Sequence, residues 1–259
     1  METRGIVFVG PAGVGKTSLW QAFASFLERE KQFSVLRVNL DPGADFGFNA
    51  IDYDVTADIS SRQLMADFNW GPNGAILEAS RQLYLRQEEI LPKVLPLPES
   101  PVDYVLIDTP GQLDSFVLQP FGATFLNNLN GVLPLSAIYL YDAGAMQDPV
   151  NVPAQLFLNA AASFQFDFDV TTVLNKADAV VELDEVLGWL QDPETLVEII
   201  RHSKRGVLSD LAAESLDALA HFRVPTRILP ISALEGHVTG LDDLFDLLEE
   251  QGCSCGDRT

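Results

Sequence analysis

Three residue types that often carry function are scarce in this chain. Its 259 residues include two cysteines, five lysines and three histidines. Both cysteines, Cys253 and Cys255, lie near the C-terminus, so a disulfide framework is excluded and we expect a reducing compartment, the cytoplasm. A Cys-x-Cys pair can bind a metal, but idle thiols at a frayed chain end are the simpler interpretation.

Positive charge is scarce as well. The chain has 16 Lys and Arg residues against 37 Asp and Glu residues, which gives a formal net charge of −21. Such a surplus repels phosphate backbones and anionic lipids, so we expect neither nucleic acid nor a membrane as a partner. An acidic, lysine-poor surface also suits a high-salt cytoplasm, where ions screen the self-repulsion, but a solvating surface explains it equally simply.

Long apolar runs are missing too. No run approaches the ~18 residues that a membrane-spanning helix needs, and the first residues lack a charged-then-apolar leader, so we expect no signal peptide. With 47% hydrophobic and 20% charged residues, the chain is typical of a folded protein. We expect a single domain over residues 1–250, with a helical insertion at about residues 182–222, and a flexible tail over residues 251–259.

Short apolar runs alternate with longer amphipathic stretches. The predicted strands are Ile6–Val9, Ser34–Asn39, Tyr104–Ile107, Ala137–Tyr141, Val170–Leu174 and Arg227–Pro230. The predicted helices are Thr17–Arg29, Pro153–Phe164, Pro193–Ala220 and Leu241–Glu250. Strands separated by helices favour right-handed crossovers. The pattern therefore predicts the α/β class, with a mostly parallel sheet flanked by helices on both faces.

The loop after the first predicted strand has the spacing of a phosphate-binding loop. Gly10 and Gly15, with four residues between them, precede Lys16 and Thr17 at the start of a predicted helix. Glycines let backbone N–H groups close around phosphate oxygens, and the helix N-terminus adds partial positive charge. Lys16 would neutralise phosphate charge and Thr17 would hold Mg²⁺. The predicted nucleotide contacts here are Gly10, Gly13, Val14, Gly15, Lys16, Thr17 and Ser18.

Two further predicted strands end in Asp residues. Asp108 ends an apolar strand and can hold Mg²⁺ through a water molecule, and the Pro-Gly turn that follows leads to Gly111 and Gln112. Gly111 can bring its N–H close to the γ-phosphate, and Gln112 is placed to orient an attacking water. Asp41 could contact the metal or activate water, but an Asx-type turn before Pro42 is the alternative.

A later strand closes with the pattern Asn-Lys-x-Asp, which predicts a guanine pocket. The Asp178 carboxylate can accept both the N1–H and the amino hydrogens of guanine, whereas adenine would leave it unpaired at ~1–3 kcal/mol or more. Asn175 can reach N7 or tie the pocket to the phosphate loop, and the stem of Lys176 can cover one face of the base. Ser232, Ala233 and Leu234 follow the last predicted strand and could offer an N–H to the guanine O6.

Taken together, these motifs resemble the GPN-loop GTPases, a family of small dimeric P-loop GTPases found in archaea and eukaryotes. The matching segments are Gly10–Thr17, Asn39–Pro42, Trp70–Gly74, Asp108–Gln112, Asn175–Asp178 and Ser232–Leu234. They cover nearly the whole chain, and the length is more similar to that of archaeal members. On physics alone, Gly71-Pro72-Asn73 would be read as a turn.

The resemblance implies a P-loop NTPase fold and a cytoplasmic, Mg²⁺-dependent enzyme that hydrolyses GTP to GDP and phosphate. It also implies a homodimer in which Asn73 of each subunit reaches the γ-phosphate of the other, as an arginine finger does in other GTPases. Gln112 would position the water, Asp108 and Thr17 would serve Mg²⁺, and Lys16 and Asp41 complete the predicted catalytic set.

Two other functions remain open. One is a nucleotide-switched assembly or chaperone factor for a protein client such as RNA polymerase, in which hydrolysis only resets the switch. The other is a nickel-type metallochaperone, but three scattered histidines and a terminal Cys-x-Cys offer few ligands for it.

One segment departs from the family pattern. Eukaryotic relatives tend to have Asp-x-Arg-Asp ahead of the GPN turn, whereas this chain has Asp54 and Asp58 separated by Val-Thr-Ala. Either aspartate could act in a switch region or simply solvate the surface.

Overall fold

The structure is a computed structural model that describes residues 3–44, 51–203, 205–219, 228–234 and 237–254. The chain divides into two compact units, one made of Met1–Ile138 with Phe164–Val170 and the other of Tyr139–Ser163 with Thr171–Thr259. A single domain over residues 1–250 therefore stays a prediction. Among the described residues, no helix is both long and apolar enough to span a bilayer.

The first unit contains most of the strands and the phosphate loop. Its elements are β1 (Arg4–Val9), α1 (Lys16–Arg29), β2 (Val35–Asn39), β3 (Tyr53–Asp54), α2 (Ser61–Phe68), α3 (Pro72–Leu85), α4 (Gln87–Val94), β4 (Tyr104–Asp108), α5 (Leu113–Phe116), α6 (Pro120–Asn130) and the first half of β5 (Leu135–Asp142). The strand order in this unit is β3-β2-β4-β1-β5. The pairs β1–β4, β2–β4 and β2–β3 are all parallel, as predicted.

The pairing of the parallel strands decides which residues meet at their carboxyl ends. Asp108, the last residue of β4, pairs with Phe8 of β1 and with Asn39 of β2. Asn39 in turn pairs with Asp54 of β3. Because parallel strands end at the same edge, the loops that follow β1, β2 and β4 leave the sheet side by side.

The core of the first unit is rich in aromatic side chains. Phe8 of β1 meets Phe23 of α1 edge to face, with ring centroids 6.3 Å apart. The indole N–H of Trp20, also on α1, donates to the Leu106 carbonyl oxygen at 3.0 Å. All three rings are buried, which holds α1, and hence the phosphate loop that precedes it, against β1 and β4.

The second unit contains the remaining helices. Its elements are the second half of β5, α7 (Val152–Ser163), β6 (Val170–Asn175), α8 (Leu183–Gln191), α9 (Pro193–His202), α10 (Val207–Leu219), β7 (Leu229–Leu234), β8 (His237–Thr239) and α11 (Leu241–Ser254). The strand order here is β5-β6-β7-β8. β6 and β7 are parallel, and β8 pairs with β7 in the antiparallel direction. The chain thus has the predicted mostly parallel α/β fold.

Several predicted boundaries are wrong. The helix predicted over Pro193–Ala220 is two helices, because Gly206 adopts the left-handed region at φ 60° and the chain turns before Val207. The last helix runs to Ser254 and includes Cys253. The described residues do not include Ala220, Arg227 or the segment 255–259 of the predicted tail, which contains Cys255.

The predicted helical insertion contains α8, α9 and α10. Asp192 is the N-cap of α9: its side chain accepts a hydrogen bond from the Thr195 N–H at 3.2 Å. Pro193 occupies the first turn. That the segment is an insertion stays a prediction.

Gly122 of α6 allows a close contact in the first unit. A Cβ at this position would lie 2.5 Å from the carbonyl oxygen of Phe116 and 2.7 Å from its ring. We expect Gly122→Ala to lower the free energy of unfolding by about 1–3 kcal/mol, because a buried helix and its neighbour must move apart. Urea unfolding followed by circular dichroism measures the change.

Gly188→Ala is the matched control for Gly122→Ala. Gly188 is a helical glycine of α8, and apart from the adjacent residues and backbone of its own helix no described heavy atom would lie within 4 Å of its added Cβ. Alanine should therefore raise stability by about 0.5–1 kcal/mol. Equal effects of the two substitutions would contradict the close packing at Gly122.

Candidate functional site

The phosphate loop joins β1 to α1 and has the backbone shape that phosphate binding requires. Gly13 and Gly15 lie in the left-handed region at φ 76° and φ 93°, which side-chain-bearing residues rarely adopt. A Cβ on Gly13 would meet no described atom within 4 Å apart from its chain neighbours, so no other segment packs on the loop at this position. Gly15 is the residue before the first turn of α1, so the N–H groups of that turn point toward the loop.

Lys16 is buried at the base of this loop. Its Nζ donates to the carbonyl oxygens of Gly10 and Pro11, both at 2.9 Å. Burial lowers the pKa of Lys16, and the nearby carboxylates of Asp108 and Asp41 oppose that effect. A cation held in this way can exchange two carbonyl partners for phosphate oxygens with little rearrangement of the loop.

Thr17 and Asp108 meet as expected for a Mg²⁺ site. The Thr17 hydroxyl donates to Asp108 Oδ2 at 2.6 Å, and Asp108 Oδ1 is a buried oxygen without a hydrogen-bond partner among the described residues. An unused carboxylate oxygen beside a hydroxyl is the ligand chemistry that Mg²⁺ prefers, either directly or through a water. Burial raises the pKa of Asp108 to about 6, because desolvation outweighs the Thr17 hydrogen bond and the charge of Lys16.

Asp41 lies two residues beyond the end of β2, in the turn that the Asx interpretation predicts. Its Oδ1 accepts the Gly43 N–H at 2.8 Å. Its carboxylate is nevertheless close enough to Lys16 to offset part of the effect of burial on the pKa of Lys16. Burial raises the pKa of Asp41 itself. The Asx turn and a site role are therefore compatible for this residue.

Gly111 and Gln112 follow β4, the strand that lies between β2 and β1. A Cβ on Gly111 would lie 3.1 Å from Ala12 Cα and 3.5 Å from Lys16 Nζ, so this position approaches the loop closely because it lacks a side chain. Gln112 begins α5, and its Oε1 is buried without a hydrogen-bond partner in the described part of the chain. An unused amide oxygen here can accept a hydrogen bond from a water molecule.

The GPN residues begin a helix and do not form a separate turn. Gly71 caps α3 and Pro72 occupies its first position, where a missing N–H costs nothing. Asn73 is exposed in the first turn, and among the described residues it makes no hydrogen bond to its own phosphate loop. In the described part of the chain, Lys16 Nζ instead donates to the Gly10 and Pro11 carbonyl oxygens.

The residues predicted for the base lie in the second unit. Asn175 is buried at the end of β6, and Lys176 follows it in the left-handed region at φ 62°. Asp178 accepts a hydrogen bond from the Ser232 hydroxyl at 2.5 Å, which orients one face of its carboxylate.

Ser232, Ala233 and Leu234 lie within a strand and do not follow it. They end β7 and pair with β8, where Ser232 faces Thr239 and Leu234 faces His237. The prediction that these residues lie beyond the last strand is therefore wrong, because the ladder with β8 extends β7 past Pro230. Ser232 is buried and reaches Asp178, whereas Leu234 is exposed.

Comparison with known proteins places this site in a family. A family model described as a conserved hypothetical ATP-binding protein matches residues 8–254. A GPN-loop GTPase of Pyrococcus abyssi is 32% identical over 258 residues, which cover 98% of this chain and 99% of that protein. This chain belongs to the GPN-loop GTPase family.

Other relatives of this GPN-loop GTPase are longer. The GPN-loop GTPase QQT2 of Arabidopsis thaliana is 27% identical over 93% of this chain, which spans 62% of the plant protein. The crystal structure of the Pyrococcus abyssi GTPase in its apo form superposes with a TM-score of 0.80 at 30% identity and covers 97% of this chain and 98% of its own. The near-complete overlap is consistent with the predicted archaeal-type length.

Two site residues of the GPN-loop GTPase escaped prediction. Asn39 binds the backbone on both sides of the Asp41 turn, and Asp142 at the end of β5 forms an ion pair with Lys176 at 2.6 Å. The sequence signal for Asp142 is weak: it is one more Asp at the end of an apolar strand. Asp54 and Asp58 both have structural partners, since Asp54 accepts from Thr56 and Asp58 accepts from Tyr53 and Lys93.

The raised pKa of Asp108 predicts a pH-dependent cost in the nucleotide-free enzyme. The folded state keeps a proton on Asp108 up to about pH 6, whereas an unfolded Asp releases it near its ordinary pKa of 3.8. The contribution of Asp108 to the free energy of unfolding is therefore fully present below about pH 4, and it is lost as the pH rises to about 6. Asp108→Asn should avoid this loss, so its stability advantage should grow over that range to at most about 3 kcal/mol.

Urea unfolding of both proteins between pH 4 and pH 8, with a chelator and without nucleotide, measures the difference. A constant difference across this range would contradict the buried, raised-pKa carboxyl. Ser115→Ala is the control, because Ser115 is a buried polar residue of the same unit that does not titrate.

Proposed function

We propose that this GPN-loop GTPase hydrolyses GTP to GDP and phosphate with Mg²⁺, as a homodimer that completes each site in trans. The GTPase assignment follows from family membership. One observation carries the Mg²⁺-dependent phosphate chemistry: Lys16, the Thr17–Asp108 pair and Asp41 converge beside one glycine-shaped phosphate loop. The homodimer is carried over from the family resemblance. The proposed partners are GTP, a second copy of the chain and a protein client, with no nucleic acid or membrane, in the cytoplasm.

The residues around the phosphate loop fit Mg²⁺. Thr17 Oγ1 and the unused Oδ1 of Asp108 would hold it, directly or through water. When bound, the ion supplies positive charge that neutralises the β- and γ-phosphate oxygens. Lys16 and the N–H groups at the start of α1 add positive potential at the same phosphates.

The attacking water is proposed to lie between the residues that follow β4 and those that follow β2. Gln112 Oε1 is available to accept one of its hydrogens, and Asp41 is placed to accept another. The raised pKa of Asp41 makes its carboxylate a stronger base than a solvated one. Catalysis in this arrangement comes from positioning and charge, without a covalent intermediate.

Guanine selection is proposed for the second unit. Asp178 keeps one carboxylate oxygen fixed by Ser232, which leaves the group oriented to accept the two donors of a guanine edge. Lys176 is held by Asp142, so its aliphatic stem is positioned to cover a base face. The family model's description names ATP, whereas the oriented Asp178 carboxylate favours guanine, and the proposal follows the carboxylate.

Asn73 is proposed to act on the partner's γ-phosphate. Three features support this role. The side chain is exposed, it lies in the first turn of a helix, and Lys16 of the same chain donates its hydrogen bonds to other residues. An amide N–H₂ at a helix N-terminus can donate to a phosphate oxygen where charge develops.

Mixing two inactive variants tests the trans arrangement. Asn73→Ala should lose turnover but retain GDP binding, and Lys16→Ala should lose productive nucleotide binding. In an equal mixture, half of the dimers pair one variant with the other, and each has one complete site, so about a quarter of the wild-type turnover should return. Steady-state phosphate release measures the recovery.

A matched mixture provides the control. In the proposed arrangement Gln112 acts beside its own phosphate loop, so Lys16→Ala mixed with Gln112→Ala should recover no activity. This mixture would recover activity only if Gln112 acted from the other subunit. Recovery with Gln112→Ala, or none with Asn73→Ala, would overturn the assignment of these residues to the two subunits.

A second candidate function is a nucleotide-switched assembly or chaperone factor. It is favoured by an apolar face on α10, where Val207, Leu208 and Leu211 are exposed by 82%, 52% and 59%. An exposed cluster of aliphatic side chains on one helix is typical of a protein-docking surface. RNA polymerase is the client that the family resemblance suggests, and hydrolysis would reset the dimer between docking events.

Leu208→Glu tests this second function. It should weaken binding of purified RNA polymerase from the same organism by about tenfold or more, since a charge placed in an apolar interface must be desolvated. GTP turnover should be unchanged. Glu214→Gln on the same helix is the control, and equal polymerase binding by both variants and the wild type would remove α10 as the docking surface.

A further inference from the structure

Asn39 is a fully buried polar residue at the carboxyl end of β2, with 0% of its surface exposed. Burying a carboxamide costs free energy unless its donors and acceptor are all used. Nothing in the phosphate loop, the metal pair or the base pocket requires an amide at this position. Its partners therefore indicate what it does.

The Asn39 side chain binds the Asp41 turn from two sides. Its Oδ1 accepts the Asp41 N–H at 2.8 Å, and its Nδ2 donates to the Asp41 carbonyl oxygen at 3.1 Å. The two bonds fix the peptide groups on both sides of the Asp41 Cα. Since the Gly43 N–H donates to Asp41 Oδ1, the backbone and the side chain of Asp41 are both held.

The remaining hydrogen of Asn39 Nδ2 ties this turn to a neighbouring strand. It donates to Asp54 Oδ1 at 2.9 Å, and the same oxygen caps the 3₁₀ turn Val55–Ala57 through the Thr56 N–H at 2.9 Å. Asn39 thus uses two donors and one acceptor, and it connects the Asp41 turn to the segment after β3. An apolar residue of similar size offers none of these bonds.

We propose that Asn39 is a positioning residue for GTP hydrolysis, which holds the Asp41 carboxylate at the attacking water. The inference rests on the proposed role of Asp41 and extends it to a residue that touches no nucleotide. Asn39 is the last residue of a strand paired with both β3 and β4, so it is held rigidly. Asp41 in contrast lies in a loop, where its carboxylate would otherwise sample several orientations.

A purely structural role predicts a different outcome from a positioning role. If Asn39 only stabilises the fold, its loss lowers the free energy of unfolding, and the molecules that remain folded turn over GTP normally. If it positions Asp41, the folded molecules lose kcat while KM and GDP affinity stay constant, because phosphate and base contacts are unaffected.

The experiment measures kcat, KM and GDP affinity for Asn39→Ala, Asp41→Ala and the double variant, under conditions where each is folded. Asn39→Ala should lower kcat about 10- to 100-fold, since small displacements of a catalytic group have effects of this size. GDP affinity should change less than about twofold. In the Asp41→Ala background, Asn39→Ala should lower kcat no further, because residues that act through one another are not additive.

Asn39→Ser is the rescue variant and also serves if Asn39→Ala does not fold. A hydroxyl retains one acceptor and one donor, so kcat should lie between those of the wild type and Asn39→Ala. Asn159→Ala is the matched control, because Asn159 is a buried amide of the second unit that bonds Tyr141 and Thr172 at 2.8 and 3.0 Å. It should lower stability and leave kcat per folded molecule unchanged.

The outcomes separate this inference from the proposed function. Normal kcat in Asp41→Ala would overturn the role of Asp41 and the inference with it. A loss in Asp41→Ala with normal kcat in Asn39→Ala would overturn the inference alone, and so would losses that multiply in the double variant. Raised KM with unchanged kcat in Asn39→Ala would likewise overturn it, because Asn39 would then act on binding.

Discussion

The pairing of β2 with β4 determines the geometry of the phosphate site. It sets Asn39 opposite Asp108, and the pairing of β1 with β4 sets Phe8 opposite the same residue. A slip of one residue would turn Asp108 and its neighbours to the other face of the sheet. The aromatic core beneath α1 makes that slip costly, so the packing that stabilises the first unit also aligns the catalytic loops.

The charged groups of the phosphate site are destabilising in the absence of ligand. Burial lowers the pKa of Lys16 and raises the pKa values of Asp108 and Asp41, so each of these charges costs more here than in water. In the proposed function, a phosphate–metal pair would relieve both costs: the anion would pair with the lysine and the cation with the carboxylates. An acidic protein with a net charge of −21 can therefore bind a polyanion, because the field at the loop is local.

Residues that belong to a recognisable sequence motif were predictable, and residues whose role depends only on their side-chain partners were not. The phosphate loop, Thr17 and Asp108 follow from glycine spacing and strand ends, and the structure brings them together. The bonds of Asn39 to Asp54 and of Asp142 to Lys176 were missed because no motif predicts them, and the two pairs are separated by 15 and 34 residues of sequence. The helices α2, α4 and α5 have eight residues or fewer, which is too short for a helical period to show in the sequence.

The helical start of the GPN segment has a mechanical consequence. α3 contains 14 residues, which makes it about 21 Å long, and it packs against α2 and α6. A helix of this kind moves as one rigid body, so a shift of Asn73 at its start also displaces its far end. At that end, Arg86 donates to the Asp58 carbonyl oxygen at 2.9 Å. Under the proposed trans arrangement, a displacement of Asn73 would therefore also reach the segment that follows β3.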